Sequence, residues 1–200
     1  MGSEGLERPL VNIIGEQIAL GPLQRDLLPV YQRWINDFRT LRTLGPVPRP
    51  MTMEQEQAWF ESAAKGERDV SFTIYELSTW RPIGNTGLHA ADFVHRSAEF
   101  GILIGEPDAR GKGYGTEAAQ LMLDYGFTAL GLHNIMLRVF EYNLAGLHAY
   151  RKAGFREFGR RHQTHSMGGR LWDEVYMECL ANDFTSPLLA RVLSPDEPRA

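Results

Sequence analysis

The stretch from Ala98 to Leu130, AEFGILIGEPDARGKGYGTEAAQLMLDYGFTAL, binds a strand, a glycine loop and a helix into one unit. Ala98 to Gly105 is a short apolar run with Phe100, Ile102, Leu103 and Ile104, bounded by turn residues, and reads as a buried strand. From Thr116 to Leu130 the apolar residues fall in two adjacent helical rows. Ala118, Leu121, Met122, Tyr125 and Ala129 make one, and Ala119, Leu123, Gly126 and Leu130 the other, a face wide enough to lie against a sheet. Between them Arg110-Gly-Lys-Gly-Tyr-Gly115 opens directly into the helix N-terminus. Backbone N–H groups are free there and the helix dipole adds partial positive charge, so the loop suits an anion, phosphate above all.

The spacing of this loop excludes two familiar nucleotide sites. A P-loop places four residues between its first glycine and the Gly-Lys pair, then Ser or Thr. Here five residues separate Gly105 from Gly111-Lys112, and Gly113 follows the lysine. A dinucleotide loop needs glycine where Thr116 stands and an acidic residue about twenty positions on. What remains is R-x-x-G-x-G, carried by Arg110, Gly113 and Gly115.

That loop, with its strand and helix, resembles the acyl-coenzyme A site of the GNAT superfamily of N-acetyltransferases. A second block, Asn143-Leu-Ala-Gly-Leu-His-Ala-Tyr150-Arg-Lys152-Ala-Gly154-Phe155, is similar to that superfamily's N-x-x-A-x-x-x-Y-x-K-x-G-F, with Gly146 in place of the usual alanine. Asp124-Tyr-Gly-Phe127 and a hairpin around Gly169–Met177 make the chain most similar to the ribosomal-protein and spermidine N-acetyltransferase branch. The resemblance implies an α/β fold: a mixed, mostly antiparallel sheet with a central splayed parallel strand pair and flanking helices. It implies transfer of an acetyl group from acetyl-CoA to a primary amine (protein N-terminus, polyamine or other small amine) by direct attack on the thioester, with no metal. A coenzyme A-binding sensor without turnover is the alternative.

On the same resemblance, pantetheine pairs with the backbone of Ile102, Leu103 and Ile104. Arg110, Gly111, Lys112, Gly113, Tyr114, Gly115 and Thr116 wrap the pyrophosphate, glycines for close approach and cations for charge. Tyr150 is the expected acid and a coenzyme contact, since amine attack expels a thiolate and reference values of about 8.5 for thiols and about 10 for Tyr allow proton return. Asn143 either caps its helix or touches the coenzyme. Glu99, entering the central strand, is the candidate base, directly or through water, because an ammonium has no lone pair. In some members a glutamate on the following strand serves, but Leu137-Arg138-Val139 puts arginine there. His162 and His165, three apart on a strand, face opposite sides and make a poor metal pair.

A chain of 200 residues suits one domain, expected over residues 15–182 with tails at 1–14 and 183–200. The net charge of −4 without a long basic run argues against nucleic acid as a partner, and no apolar stretch reaches membrane-spanning length. Cys179 is the lone cysteine, which excludes an intrachain disulfide. With no signal-peptide profile the cytoplasm is the default, and a homodimer is allowed.

The remaining elements follow in order. Gln17 to Leu20 reads as a strand, and Leu27, Val30, Tyr31, Trp34, Ile35 and Phe38 as one helical face. Arg42 to Pro50 must be extended. Thr52 and Gln55 form a capping box for a helix with a buried face at Ala58, Trp59, Ser62 and Ala63. Val70–Leu77 and Ile83–Ala91 are strands, and Asn134–Phe140 should run parallel to the strand at Ala98. A helix over 144–153 and a closing hairpin complete the domain, with a peripheral tail after Asn182. The acidic Glu54, Glu56 and Glu61 suit a cationic acceptor, whereas Arg39, Arg42 and Arg49 do not.

Overall fold

The computed structural model describes residues 8–45, 48–66 and 68–196. Its strands are β1 (Ile13–Ile14), β2 (Ile18–Pro22), β3 (Val70–Glu76), β4 (Pro82–Asp92), β5 (Ser97–Ile104), β6 (Asn134–Phe140), β7 (Arg156–Met167) and β8 (Arg170–Leu180). Helices are α1 (Leu28–Asn36), α2 (Phe38–Leu41), α3 (Met53–Lys65), α4 (Tyr114–Asp124), α5 (Leu144–Ala153) and α6 (Leu189–Val192). The strands form one eight-stranded sheet in the order β1-β2-β3-β4-β5-β6-β8-β7. The expected parallel pair is β5 with β6; the other neighbours are antiparallel.

Alternation along β5 splits the interior in two. Ala98 and Phe100 enter the larger core, where Ala118, Ala119, Met122 and Leu123 of α4 and Leu147 of α5 meet the sheet. Leu103 points the other way, onto Leu28, Tyr31 and Trp34 of α1 and Phe60 of α3. Gly126 lets the end of the long helix sit on β6, since a β-carbon there would stand 2.4 Å from Ile135 Cδ1. That helix loosens beyond Asp124 into a π-turn over Tyr125–Ala129, with the Leu130 N–H on the Tyr125 carbonyl.

Four sequence expectations change. The helix carrying Trp34 stops at Asn36, and Asp37 caps α2 through the Arg39 N–H, which leaves Phe38 exposed. On α3 the capping box forms as expected, but the buried positions are Glu56 and Phe60, with Ala58, Trp59 and Ser62 outside. Phe60 packs with Leu28, Tyr31 and Trp34, while Trp59 meets Tyr31 edge-on at 6.1 Å. β1 was not foreseen, being too short to carry a period. The segment after Asn182 is not peripheral: Asp124, fully buried, accepts the N–H groups of Leu188 (3.1 Å) and Leu189 (2.8 Å). Leu189 is buried, and Phe184 packs on Phe127 at 5.4 Å. Among the described residues no helix is long and apolar enough to cross a membrane.

Candidate active site

β5 and β6 pair only over Ser97–Asn134, Ala98–Ile135 and Glu99–Met136, then diverge. The Gly105 N–H bonds the Ile83 carbonyl at 2.9 Å, so the ladder's alternation turns the odd residues of β5 toward β4 and the even ones toward the gap. Ile102 therefore offers both backbone groups to the gap and Ile104 its N–H. The Ile104 carbonyl is taken by Arg110 Nε at 3.1 Å. Leu103 spends its backbone on Asn85 and presents only its side chain. A cavity of about 830 Å³ follows the gap, walled by residues 102–104, the glycine loop, residues 142–146 and 148–150 with Lys152, and Arg39, Thr40, Arg42, Thr43 and Leu44 from α2 and the segment after it.

In the loop, Gly111 (φ +75°) and Gly113 (φ +90°) hold left-handed backbone, whereas Gly115 does not. Gly113 caps α4 without a side chain, and its carbonyl takes the N–H groups of Thr116 (3.0 Å) and Glu117 (3.1 Å). The N–H groups of residues 111–115 find no acceptor among the described residues, so the first turn of α4 opens on the cavity with its donors free. Thr116 is buried beneath it. The loop's cations line the cavity and are also paired within the protein. The Arg110 guanidinium bonds Thr40 Oγ1 at 2.7 Å besides the Ile104 carbonyl, and Lys112 Nζ stands 3.7 Å from Glu76. Glu76 also accepts the Tyr114 hydroxyl at 2.8 Å, and that bond leads in holding its carboxyl below the usual range. These side chains fasten the loop while its backbone faces the cavity.

Tyr150 projects from α5 into the same cavity, its ring edge-on to Phe100 at 6.0 Å and to Phe155 at 6.2 Å. Its hydroxyl has no partner among the described residues, and burial pushes it up to about 12. The phenol therefore stays protonated across the physiological range. Asn143 caps α5, its Oδ1 accepting the Gly146 N–H at 3.0 Å. A β-carbon on Gly146 would stand 2.6 Å from Asn143 Nδ2, so the glycine makes room for the cap.

Glu99 does not join them. It lies on the opposite face of β5, with its Oε1 2.7 Å from Arg138 Nε. Arg138 continues to Glu174 at 3.7 Å, which also meets Arg161 at 3.3 Å, an ion-pair row along β6, β8 and β7. His162 and His165 part as expected: His162 Nδ1 sits on Asp173 at 2.9 Å, while His165 stacks on Phe140 at 3.8 Å.

Sequence reasoning missed the segment that spans the gap. Thr40 is held to the β5 side by Arg110, and the Arg42 carbonyl accepts the Tyr142 hydroxyl from the β6 side. Arg39 and Arg42 line the cavity from this strap, facing His148 and Lys152 of α5. The (i, i+4) spacing of His148 and Lys152 gave a signal for one shared helical face; nothing local signalled the strap.

Residues 17–156 match the family model described as the acetyltransferase (GNAT) domain. The alpha/beta-tubulin-N-acetyltransferase 9 of Drosophila melanogaster is 30% identical over 165 residues, 74% of this chain and 80% of that protein. Spermidine N(1)-acetyltransferase of Escherichia coli K12 is 42% identical over 84 residues, 42% of this chain and 45% of that protein. The crystal structure of spermidine N-acetyltransferase from Vibrio cholerae with CoA and spermine superposes with a TM-score of 0.77 at 27% identity, covering 84% of this chain and 98% of that one. With the splayed β5–β6 pair, the open helix N-terminus and the cavity between them, these likenesses have one meaning: the chain belongs to the GNAT family of acetyltransferases, enzymes that take an acetyl group from acetyl-CoA and pass it to an amine.

Proposed function

We propose that pantetheine lies in the β5–β6 gap against the backbone of Ile102 and Ile104, with the pyrophosphate on the N–H groups of residues 111–115. The observation that carries this reading is the coincidence of free backbone donors at α4, free strand edge at β5 and an unpartnered Tyr150 hydroxyl around one cavity. The amine nitrogen attacks the thioester carbon, the C–N bond forms and the C–S bond breaks. Tyr150 donates to the departing sulfur. A phenol near 12 is a weaker acid than the thiol it serves, by roughly 3 to 4 units. Its contribution is thus a hydrogen bond held to the sulfur as charge develops, completed by proton transfer as solvent re-protonates the ring.

The acceptor is a primary amine. The spermidine N-acetyltransferase likeness supports a polyamine. A specific observation favours a singly charged amine such as a protein N-terminus. No carboxylate lines the cavity among the described residues, and Glu99, Glu174 and Glu178 are engaged by Arg138, Arg161 and Asn134. A thiol-release assay with acetyl-CoA against spermidine and a peptide with a free N-terminus tests both. Release that depends on either amine supports the reading, and the preferred amine selects the class. No release with any primary amine, while coenzyme A binds, makes the chain a non-catalytic binder.

A further inference from the structure

The gap between β5 and β6 opens on two faces of the sheet. α4 and α5 pack on the face that Phe100 enters. A coenzyme seated on the free donors of α4 comes from that side. α1 packs on the other face, against Leu103, and leads through α2 into the strap. The acceptor nitrogen has to meet the thioester without crossing the coenzyme, which leaves it the strap side. Charges left uncompensated there select among acceptors.

Two arginines of the strap are such charges. On that side Glu99 and Glu174 are offset by Arg138 and Arg161, and Arg33 of α1 is spent on Glu106. Arg39 and Arg42 are exposed, line the cavity, and meet no carboxylate among the described residues. Asp37, the acid nearest in sequence, is already used. Its Oδ1 accepts the Arg39 N–H at 2.9 Å and its Oδ2 the Thr40 hydroxyl at 3.2 Å. Arg42 ties the strap to Tyr142 through its backbone carbonyl, which leaves the guanidinium free. Burial pushes the Tyr142 phenol up and the Arg42 charge pulls it back, so that guanidinium stands near the β6 lip of the cavity. The other basic groups of the cavity belong to the glycine loop and to α5, on the coenzyme's side.

We propose that Arg39 and Arg42 determine acceptor specificity by pairing with carboxylates close to the reacting amine, and that the preferred acceptor is a peptide N-terminus followed directly by Asp or Glu. The proposal rests on the acetyl-transfer reading above and narrows its acceptor. Arg42 keeps helical backbone at the end of α2, so the two side chains, three residues apart, share one side of the turn. From there they hold one carboxylate between them or two successive ones, through charge-assisted hydrogen bonds. Both are exposed, so the chain beyond the acidic residues runs on into solvent. A polyamine instead brings a further ammonium toward two cations and is disfavoured.

The test measures kcat/KM by thiol release at low ionic strength, where exposed charges are least screened. Three C-terminally amidated peptides share one free N-terminal residue, followed by Asp-Glu, Asn-Gln or Lys-Lys, and spermidine is the fourth acceptor. The acidic peptide should exceed its neutral isostere by about 10- to 100-fold, with the basic peptide and spermidine below both. Arg39→Gln and Arg42→Gln should each shrink the acidic-to-neutral ratio, and together bring it close to one, chiefly through the KM of the acidic peptide. Coenzyme A affinity, by calorimetry, should stay at the parental value. Both side chains are exposed and the strap is tied by Thr40 and the Arg42 carbonyl, so these variants keep the fold. Arg42→Glu should turn the preference toward the basic peptide. Equal kcat/KM for acidic and neutral peptides, a higher value for spermidine than for the acidic peptide, or a parental ratio in the double variant overturns the proposal. So does a loss of coenzyme A affinity as large as the loss in kcat/KM, which assigns the guanidiniums to the coenzyme's phosphates. A parent inactive on every amine refutes the acetyl-transfer reading itself, a different failure from an active parent indifferent to acceptor charge.

Discussion

The indole of Trp34 occupies the space a β-carbon on Gly105 would need, with ring carbons 2.2 Å from the ideal position. Trp34 Nε1 is fixed by Glu106 Oε1 at 2.9 Å, so the ring cannot slide away. The contact locks α1 onto the end of β5, where the wall of the cavity begins. Gly105→Ala should therefore cost about 1–3 kcal/mol by overpacking, read from denaturant midpoints. Gly115→Ala, with nothing within 4 Å and ordinary φ, should leave unliganded stability unchanged or slightly raised.

Gly113→Val separates loop geometry from fold. A β-branched residue at φ +90° costs about 1–3 kcal/mol, which an exposed loop relieves by changing shape. The N–H groups then no longer converge on the pyrophosphate. Coenzyme A affinity, by calorimetry, should fall tenfold or more, equivalent to at least about 1.4 kcal/mol. Unchanged affinity in the folded variant would make the loop a simple turn.

Tyr150→Phe keeps the packing against Phe100 and Phe155 and removes only the hydroxyl. Turnover should fall about 10²- to 10⁴-fold with little change in coenzyme affinity or melting temperature. Because burial pushes the phenol up to about 12, the parent's pH–rate profile should show no descending limb from Tyr150 below about pH 11. Full turnover in the variant would remove Tyr150 from the chemistry.

Alkaline stability follows from Tyr75, which burial pushes up to about 12 and whose hydroxyl is buried without a partner among the described residues. Its unfolded value is about 10. The folded state therefore holds the proton more tightly, a contribution complete below pH 10 and lost as pH rises through about 12. Urea midpoints should stay level to about pH 9.5 and then fall. Tyr75→Phe should add about 1 kcal/mol at neutral pH by removing the unsatisfied hydroxyl, and should make the alkaline fall shallower.

The strand, loop and helix at 98–130 were legible because each announces itself locally: an apolar run, paired glycines, a 3.6-residue period. The place of Tyr150 on the cavity wall was legible because its block names it at fixed spacing. The strap at Arg39–Leu44 was not, since it is held across the gap by Arg110 and by Tyr142, a hundred positions from Arg42. The partners of the loop cations were not legible, since Thr40 and Glu76, which hold Arg110 and Lys112, lie far off in sequence.

The most direct test of acetyl transfer is mass spectrometry of an amine acceptor incubated with the protein and acetyl-CoA labelled in its acetyl group. The account predicts label on the amine nitrogen in step with thiol release, and both lost together in Tyr150→Phe. Thiol release with no label on any amine, or labelling unaffected in Tyr150→Phe, would contradict it.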